Sequence, residues 1–123
     1  MIPRFRAWLK NDKEMIEADE IHWNRGELDF IGDAITFMRM ADEVELMQST
    51  GLFDKNGQEI FEGDILGTKE GLLNGFVEYR EDLGMWTNSL IRYNNFERLC
   101  NVASDRKIIG NVFENPELLE DGQ

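Results

Sequence analysis

Residues 50–66 read Thr50-Gly51-Leu52-Phe53-Asp54-Lys55-Asn56-Gly57-Gln58-Glu59-Ile60-Phe61-Glu62-Gly63-Asp64-Ile65-Leu66. Two turn signals lie inside this stretch, each followed by an apolar run. Asp54-Lys55-Asn56-Gly57 combines side chains that bond their own backbone with an Asn-Gly step that tolerates left-handed backbone, so it predicts a tight turn. Gly63-Asp64 stands directly before Ile65-Leu66. Glycine permits a sharp bend there, and the aspartate can tie the adjacent loop through its carboxylate. Asp54, Asn56, Gly57, Gly63 and Asp64 are therefore expected to shape turns rather than to do chemistry.

Downstream of this stretch the chain reads as a meander. A first strand starts at the Gly-Asp step, a second contains Val77 and Tyr79, and a third covers Met85–Arg92 after a Leu83-Gly84 turn. Asn94 or Asn95 is placed to cap a short helix carrying Phe96, Leu99 and Cys100. Ile108–Phe113 reads as a last buried strand, and Asn115-Pro116 as the start of a helical turn with proline at its first position. A Gly-Asp opening, a meander and a last buried strand predict a small SH3-like β-barrel with short helices.

Upstream, Arg4–Trp8 alternates, with Phe5 and Ala7 on one face, and reads as a half-buried strand. Residues 10–13 form a turn. The pairs Ile21/Trp23 and Leu28/Phe30, joined through Asn24-Arg25-Gly26-Glu27, predict a hairpin. Asp33 could cap a helix through Ile35, Met38, Ala41 and Met47, but Ile35/Phe37 alternates as a strand, so 33–42 stays open. Val44–Gln48 reads as a strand. The expected fold is mainly β, with α+β as the alternative: a β-hairpin arm over residues 1–48 and the barrel within 49–123. A two-stranded hairpin is marginal alone in water, so the arm is expected to pack on a second copy. Leu28, Phe30, Phe37 and Met38 are the candidate interface residues.

Composition excludes more than it selects. The 123 residues carry 25 Asp and Glu against 13 Lys and Arg, for a net charge of −12. Arg4, Arg6 and Lys10 lie in an opening without acids, whereas residues 11–50 hold eleven acids and three bases. A polyanion binds where cations displace its counterions, so direct nucleic-acid binding is not expected unless Arg80, Arg92, Arg98, Arg106 and Lys107 gather into a patch beside the aromatic residues. An acidic decoy acting on a DNA-binding protein is the related alternative. No apolar run is long enough to span a bilayer, and no signal-peptide pattern follows the basic start. A single cysteine fits a reducing, cytoplasmic setting.

Candidate chemistry is sparse. The acids Asp12, Glu14, Glu17, Asp19 and Glu20 fail the EF-hand pattern, because the sixth position from Asp12 is Glu17 and the twelfth is Trp23. They read as a solvated turn. His22 and Cys100 are the sole members of their types, so a Cys–His pair would have to join these two. His22 is expected to point outward and Cys100 to be buried with Phe96 and Leu99. Gly67, Gly71 and Gly75 lack the Lys-Ser/Thr of a phosphate loop and read as a mobile hairpin loop, with a loop that orders on binding as the alternative. No catalytic residue, metal site or cofactor is expected, and the protein is not expected to be an enzyme.

The opening F-R-A-W, the central E-L-M-Q-S-T-G-L-F-D-K-N-G-Q-E-I-F-E-G-D-I-L and the closing I-I-G-N-V-F-E-N-P-E-L-L together resemble the YopX family of phage and prophage proteins. The resemblance covers both ends and the centre in the family's order, and departs from it at residues 11–42 and 67–75. It implies a homo-oligomeric phage accessory protein, with a phage or host protein as a further partner. It brings no catalytic residues.

Overall fold

The structure, a computed structural model, describes residues 4–120. The chain is mainly β with curled sheets and forms two compact units, one up to Ser49 and one from Thr50 onward. The first holds β1 (Phe5–Leu9), β2 (Glu14–Glu17), β3 (Ile21–Asn24), β4 (Glu27–Gly32) and β5 (Met38–Met40), and the start of β6 (Val44–Phe53). β1 pairs antiparallel with β2 and with β6, setting Ala7 opposite Ile16 on one side and Leu46 on the other. Ala7, Leu9, Ala18, Ile31 and Val44 form the core of this unit. The period-two face of β1 thus points inward, as its alternation predicts.

Three details of this unit differ from the sequence reading. The acidic turn contains a strand: in Glu14-Met15-Ile16-Glu17 the alternation is absent, but Ile16 packs on the core while the two glutamates stay exposed. The β3–β4 connection is tighter than the four-residue loop expected. Only Arg25 and Gly26 turn, with φ of 54° and 82°, the signature of a type I′ hairpin. A bulge between His22 and Trp23 breaks the alternation, so Ile21 packs inward while Trp23 is exposed and meets Phe5 edge-on at 6.2 Å.

The open segment 33–42 resolves against the helix. Asp33 caps a turn instead: Oδ1 accepts the N–H groups of Ile35, Thr36 and Phe37 at 2.8–3.0 Å, and Oδ2 accepts the Thr36 hydroxyl. Those bonds pull its carboxyl far below the ordinary range, with the Thr36 hydroxyl the largest cause. Ala34 adopts φ 67°, which stops helical propagation. The chain then enters β5, the edge strand beside β4, and a 3-10 turn over Ala41–Glu43.

The second unit begins within β6, where the Thr50 hydroxyl donates to the Ile60 carbonyl at 2.7 Å. It continues through β7 (Glu59–Phe61), β8 (Asp64–Gly67), β9 (Gly75–Arg80), β10 (Met85–Leu90), β11 (Phe96–Arg98), α1 (Leu99–Val102) and β12 (Lys107–Asn111). A five-stranded antiparallel sheet has the order β11-β10-β9-β8-β12. Four strands meander and the last returns beside the first, an order consistent with an SH3-like barrel. Ile60, Leu66, Val77, Leu99 and Ala103 make the core, with Leu52, Trp86 and Ile108 packed around it.

Here too the helical expectations change. Phe96 belongs to β11, and the Asn95 side chain accepts the Phe96 N–H instead of capping a helix. The helix starts at Leu99, which is buried, whereas Cys100 is exposed. Adjacent residues at a helix start point in different directions, so the two cannot share a face. The third strand stops at Leu90, two residues short of Arg92, although the Ile91 N–H still reaches the Asn74 carbonyl. The last strand stops at Asn111, whose Oδ1 accepts the N–H groups of Phe113 and Glu114, and Ile109 on it is exposed. It is a two-faced strand rather than a buried one. Pro116–Leu119 form a 3-10 turn, and Asn115 Oδ1 binds the Asn111 N–H rather than capping that turn.

The expected turn residues hold this unit together. Asp54 is 4% exposed. Its Oδ1 accepts the N–H of Asn56 at 2.9 Å and of Gln58 at 2.8 Å, and its Oδ2 accepts the Ile108 N–H at 3.0 Å. Lys55 N–H donates to the Arg106 carbonyl beside it. Gly57, at φ 80°, donates to the Asp54 carbonyl. Gly63 takes φ 87° and exchanges bonds with Val77 and Val112, while Asp64 Oδ2 accepts the Phe61 N–H at 2.8 Å. A side chain at Gly75 would meet Asn88 Oδ1 at 2.4 Å and the Ser89 carbonyl at 2.7 Å.

Burial alone would raise the Asp54 pKa, but the N–H groups of Ile108, Gln58 and Asn56 outweigh it and hold the carboxyl below the ordinary aspartate value. On acidification the unfolded chain takes up this proton first. The contribution of Asp54 is therefore complete above about pH 4 and is lost as pH falls through the lowered folded value. Replacing Asp54 by Ala leaves three N–H groups without their acceptor and is expected to cost about 3 kcal/mol in urea unfolding. Asp54→Asn should cost less and flatten the acid limb of the stability profile. Gly75→Ala is expected to lower stability by about 1–3 kcal/mol through overpacking, read from the same unfolding curves.

Candidate functional site

The second unit carries a groove of about 430 Å³ on the face of β9, β10 and β11 opposite Val77. Phe76, Glu78 and Arg80 alternate along β9 and supply one wall. Ser89 and Phe96, directly paired with each other or with Phe76 across the ladder, supply the floor, and Tyr93 in the following loop closes one end. A groove of this size lies within the range of small-ligand sites.

Its polar groups are fixed in place. The Ser89 hydroxyl donates to Glu78 Oε2, which leaves the other carboxylate oxygen of Glu78 without a bond from Ser89. Arg80 binds Asp82 through two parallel bonds, Nε to Oδ1 at 3.0 Å and Nη2 to Oδ2 at 2.9 Å, and its guanidinium stands over the Phe96 ring at 5.2 Å. The pair raises the Arg80 pKa and lowers that of Asp82. Arg80 is thus a neutralised planar wall, and Glu78 is the acceptor that faces the groove. Such a set can hold a planar, hydrogen-rich cation or base against aromatic rings.

Next to the groove, Thr68, Leu72, Leu73 and Tyr93 border an apolar surface. The loop expected to be mobile is internally bonded: Asn74 Oδ1 accepts the Thr68 N–H at 2.8 Å, the Thr68 hydroxyl accepts the Leu73 N–H at 3.3 Å, and Gly71 donates to Thr68. It presents Leu72 and Leu73, 44% and 37% exposed, beside Tyr93 at 50%.

The remaining residues singled out in the sequence have local roles. Leu28 and Phe37 pack against the core of the first unit, Phe30 stacks on His22 with centroids 4.1 Å apart, and Met38 is exposed on edge strand β5. His22 points outward, with Nε2 3.2 Å from the Gly32 carbonyl. Cys100 Sγ lies 3.6 Å from Asn101 Oδ1. Of the five cations considered for a patch, Arg106 is tied to Glu97 at 2.5 Å and Arg80 to Asp82, so two are already matched by acids. Among the described residues no group of three or more His, Cys, Asp or Glu is arranged to hold a metal, and no helix is long and apolar enough to cross a membrane. The first unit has its own cavity of about 190 Å³ over Ala18, Ile31 and Phe37.

The alternation of Val77 and Tyr79 already implied a second face at Phe76, Glu78 and Arg80. What sequence reading missed was the register that brings Ser89 and Phe96 beside them, since partners seven and thirteen residues apart leave no local mark of their pairing.

Solved structures with this architecture exist. Protein EF1440 from Enterococcus faecalis is similar with 29% identity and a TM-score of 0.69, over 98% of this chain and 99% of that one. Protein yopX from Bacillus subtilis shares the fold at a TM-score of 0.60 with 17% identity, over 98% of both chains. No curated protein matches the chain. The family model described as YopX protein matches residues 4–120, and the chain belongs to the YopX family.

Proposed function

We propose that this protein is a non-enzymatic phage or prophage accessory protein, a homo-oligomeric module that acts by binding other proteins. The observation that carries the reading is the internally bonded 68–74 loop. A loop fixed by its own hydrogen bonds that still displays two leucines and a tyrosine is a preorganised contact surface, and preorganisation lowers the ordering cost of association. The edge strand β5 supports self-association. Met38 and Met40 on it are exposed, and Ile35, at the tip of the Asp33 turn, is 90% exposed. A sheet edge with exposed apolar side chains is a pairing surface, although the Met40 N–H is bonded by Glu43 and the Met38 carbonyl by Arg39. The net charge of −12 and the matched arginines favour protein partners over nucleic acid.

Two measurements test this. Light scattering at micromolar concentration is expected to give a mass above that of the 14.3 kDa chain, and Met38→Glu with Ile35→Glu should lower it; a monomer mass for the unmodified protein defeats the homo-oligomer. Affinity capture from phage-carrying bacterial cells should yield a partner that the Leu72→Asp, Leu73→Asp double variant no longer retains. A gel shift with DNA or RNA that weakens steeply with salt would favour the nucleic-acid reading instead.

A further inference from the structure

The groove walls differ from the leucine surface beside them: they combine aromatic rings with one oriented carboxylate. We infer that this groove receives an arginine side chain of a partner protein. The inference rests on the protein-interaction reading and gives the partner its chemistry.

Four observations converge on a guanidinium. Glu78 is held by Ser89 through one oxygen, so its second oxygen is oriented to accept from a planar fork of N–H donors. Phe76, Tyr93 and Phe96 line the same groove, and a guanidinium stacks on ring faces while its edge bonds a carboxylate. Phe96 already carries the guanidinium of Arg80 at 5.2 Å, so that contact is taken and the rings of Phe76 and Tyr93 are left for an incoming guanidinium. Arg80 itself is neutralised by Asp82, so the charge left over in the groove is that of Glu78. A cationic group is thus complementary to the site, on a chain whose net charge of −12 draws basic partners from a distance.

A lysine would meet the charge but not the shape, since its ammonium is compact, strongly hydrated and not planar. A nucleobase would meet the rings, yet it brings phosphates into an acidic surface.

The test is a titration followed by amide NMR spectra, with a capped Gly-Arg-Gly tripeptide as the probe at low ionic strength. Saturable shifts confined to Phe76, Glu78, Ser89, Tyr93 and their neighbours are expected. Gly-Lys-Gly should bind about threefold or more weakly, and Glu78→Gln, which retains an acceptor for Ser89, should weaken the arginine probe about tenfold. Tyr93→Ala, at a half-exposed loop position, should weaken it severalfold without altering the dispersion of the spectrum. The assignment is overturned if the tripeptide gives no saturable shifts in the groove, if Glu78→Gln binds equally well, or if guanosine monophosphate saturates the groove where the peptide does not. Loss of the arginine probe alone, with partner capture still dependent on Leu72 and Leu73, would defeat this inference and leave the interaction module standing. Loss of both would defeat the module as well.

Discussion

The second unit depends on one carboxylate. Asp54 lies in a tight turn, yet one of its oxygens reaches the Ile108 N–H, 54 residues along the chain. Local and long-range order are thereby fixed by the same group: two bonds shape the 54–58 turn, and the third anchors the strand that closes the sheet beside β8. A neutral turn residue could supply the first function. An ionised carboxylate with two oxygens supplies both, and charge-assisted bonds offset the cost of its burial.

A second polar group, Glu97, ties β11 to the residue just before β12, next to the Asp54 turn. Glu97 accepts from Asn88 Nδ2 at 3.0 Å and from Arg106 Nη2 at 2.5 Å, with both ion-pair side chains largely shielded, at 19% and 12% exposure. The Asn88 Oδ1 atom has no hydrogen-bond partner and lies against Gly75. The bare Cα of glycine lets β9 pass so close to that amide, which explains why the last member of the Gly67, Gly71, Gly75 series is a packing residue. The network runs on the core side of β10 and β11, and the groove lies on the other. The same two strands thus present a polar interior behind an open groove.

Much of the architecture was legible because its signals are local. Asp54, Gly63 and Asp64 announce their turns by residue type, and Phe5–Leu9 announces its buried face by alternation. Legibility failed where tertiary partners outvoted local preference. Phe96 and Cys100 looked like one helical face, but pairing with Ser89 draws Phe96 into a strand, and the helix begins only at Leu99. Glu14–Glu17 shows no period of two, and becomes a strand because β1 offers it a partner. Asp33 was left between a helix cap and a strand, and its carboxylate in fact holds a turn. The groove was not read from the sequence: Arg80 was considered only for a cation patch, and Ser89 and Phe96 join β9 through register.

The return of β12 to β8 has a consequence for how the molecule is made. The sheet cannot close, and Asp54 cannot find its third donor, until residue 108 has left the ribosome. Until then the nascent second unit exposes the free side of β8, a fully buried strand in the finished protein. Distant pairings of this kind slow folding and lengthen the time during which sticky edges are on display. Heavy acidity then has a use apart from any partner, because like-charged chains emerging side by side from a crowded polysome repel one another before their edges can meet.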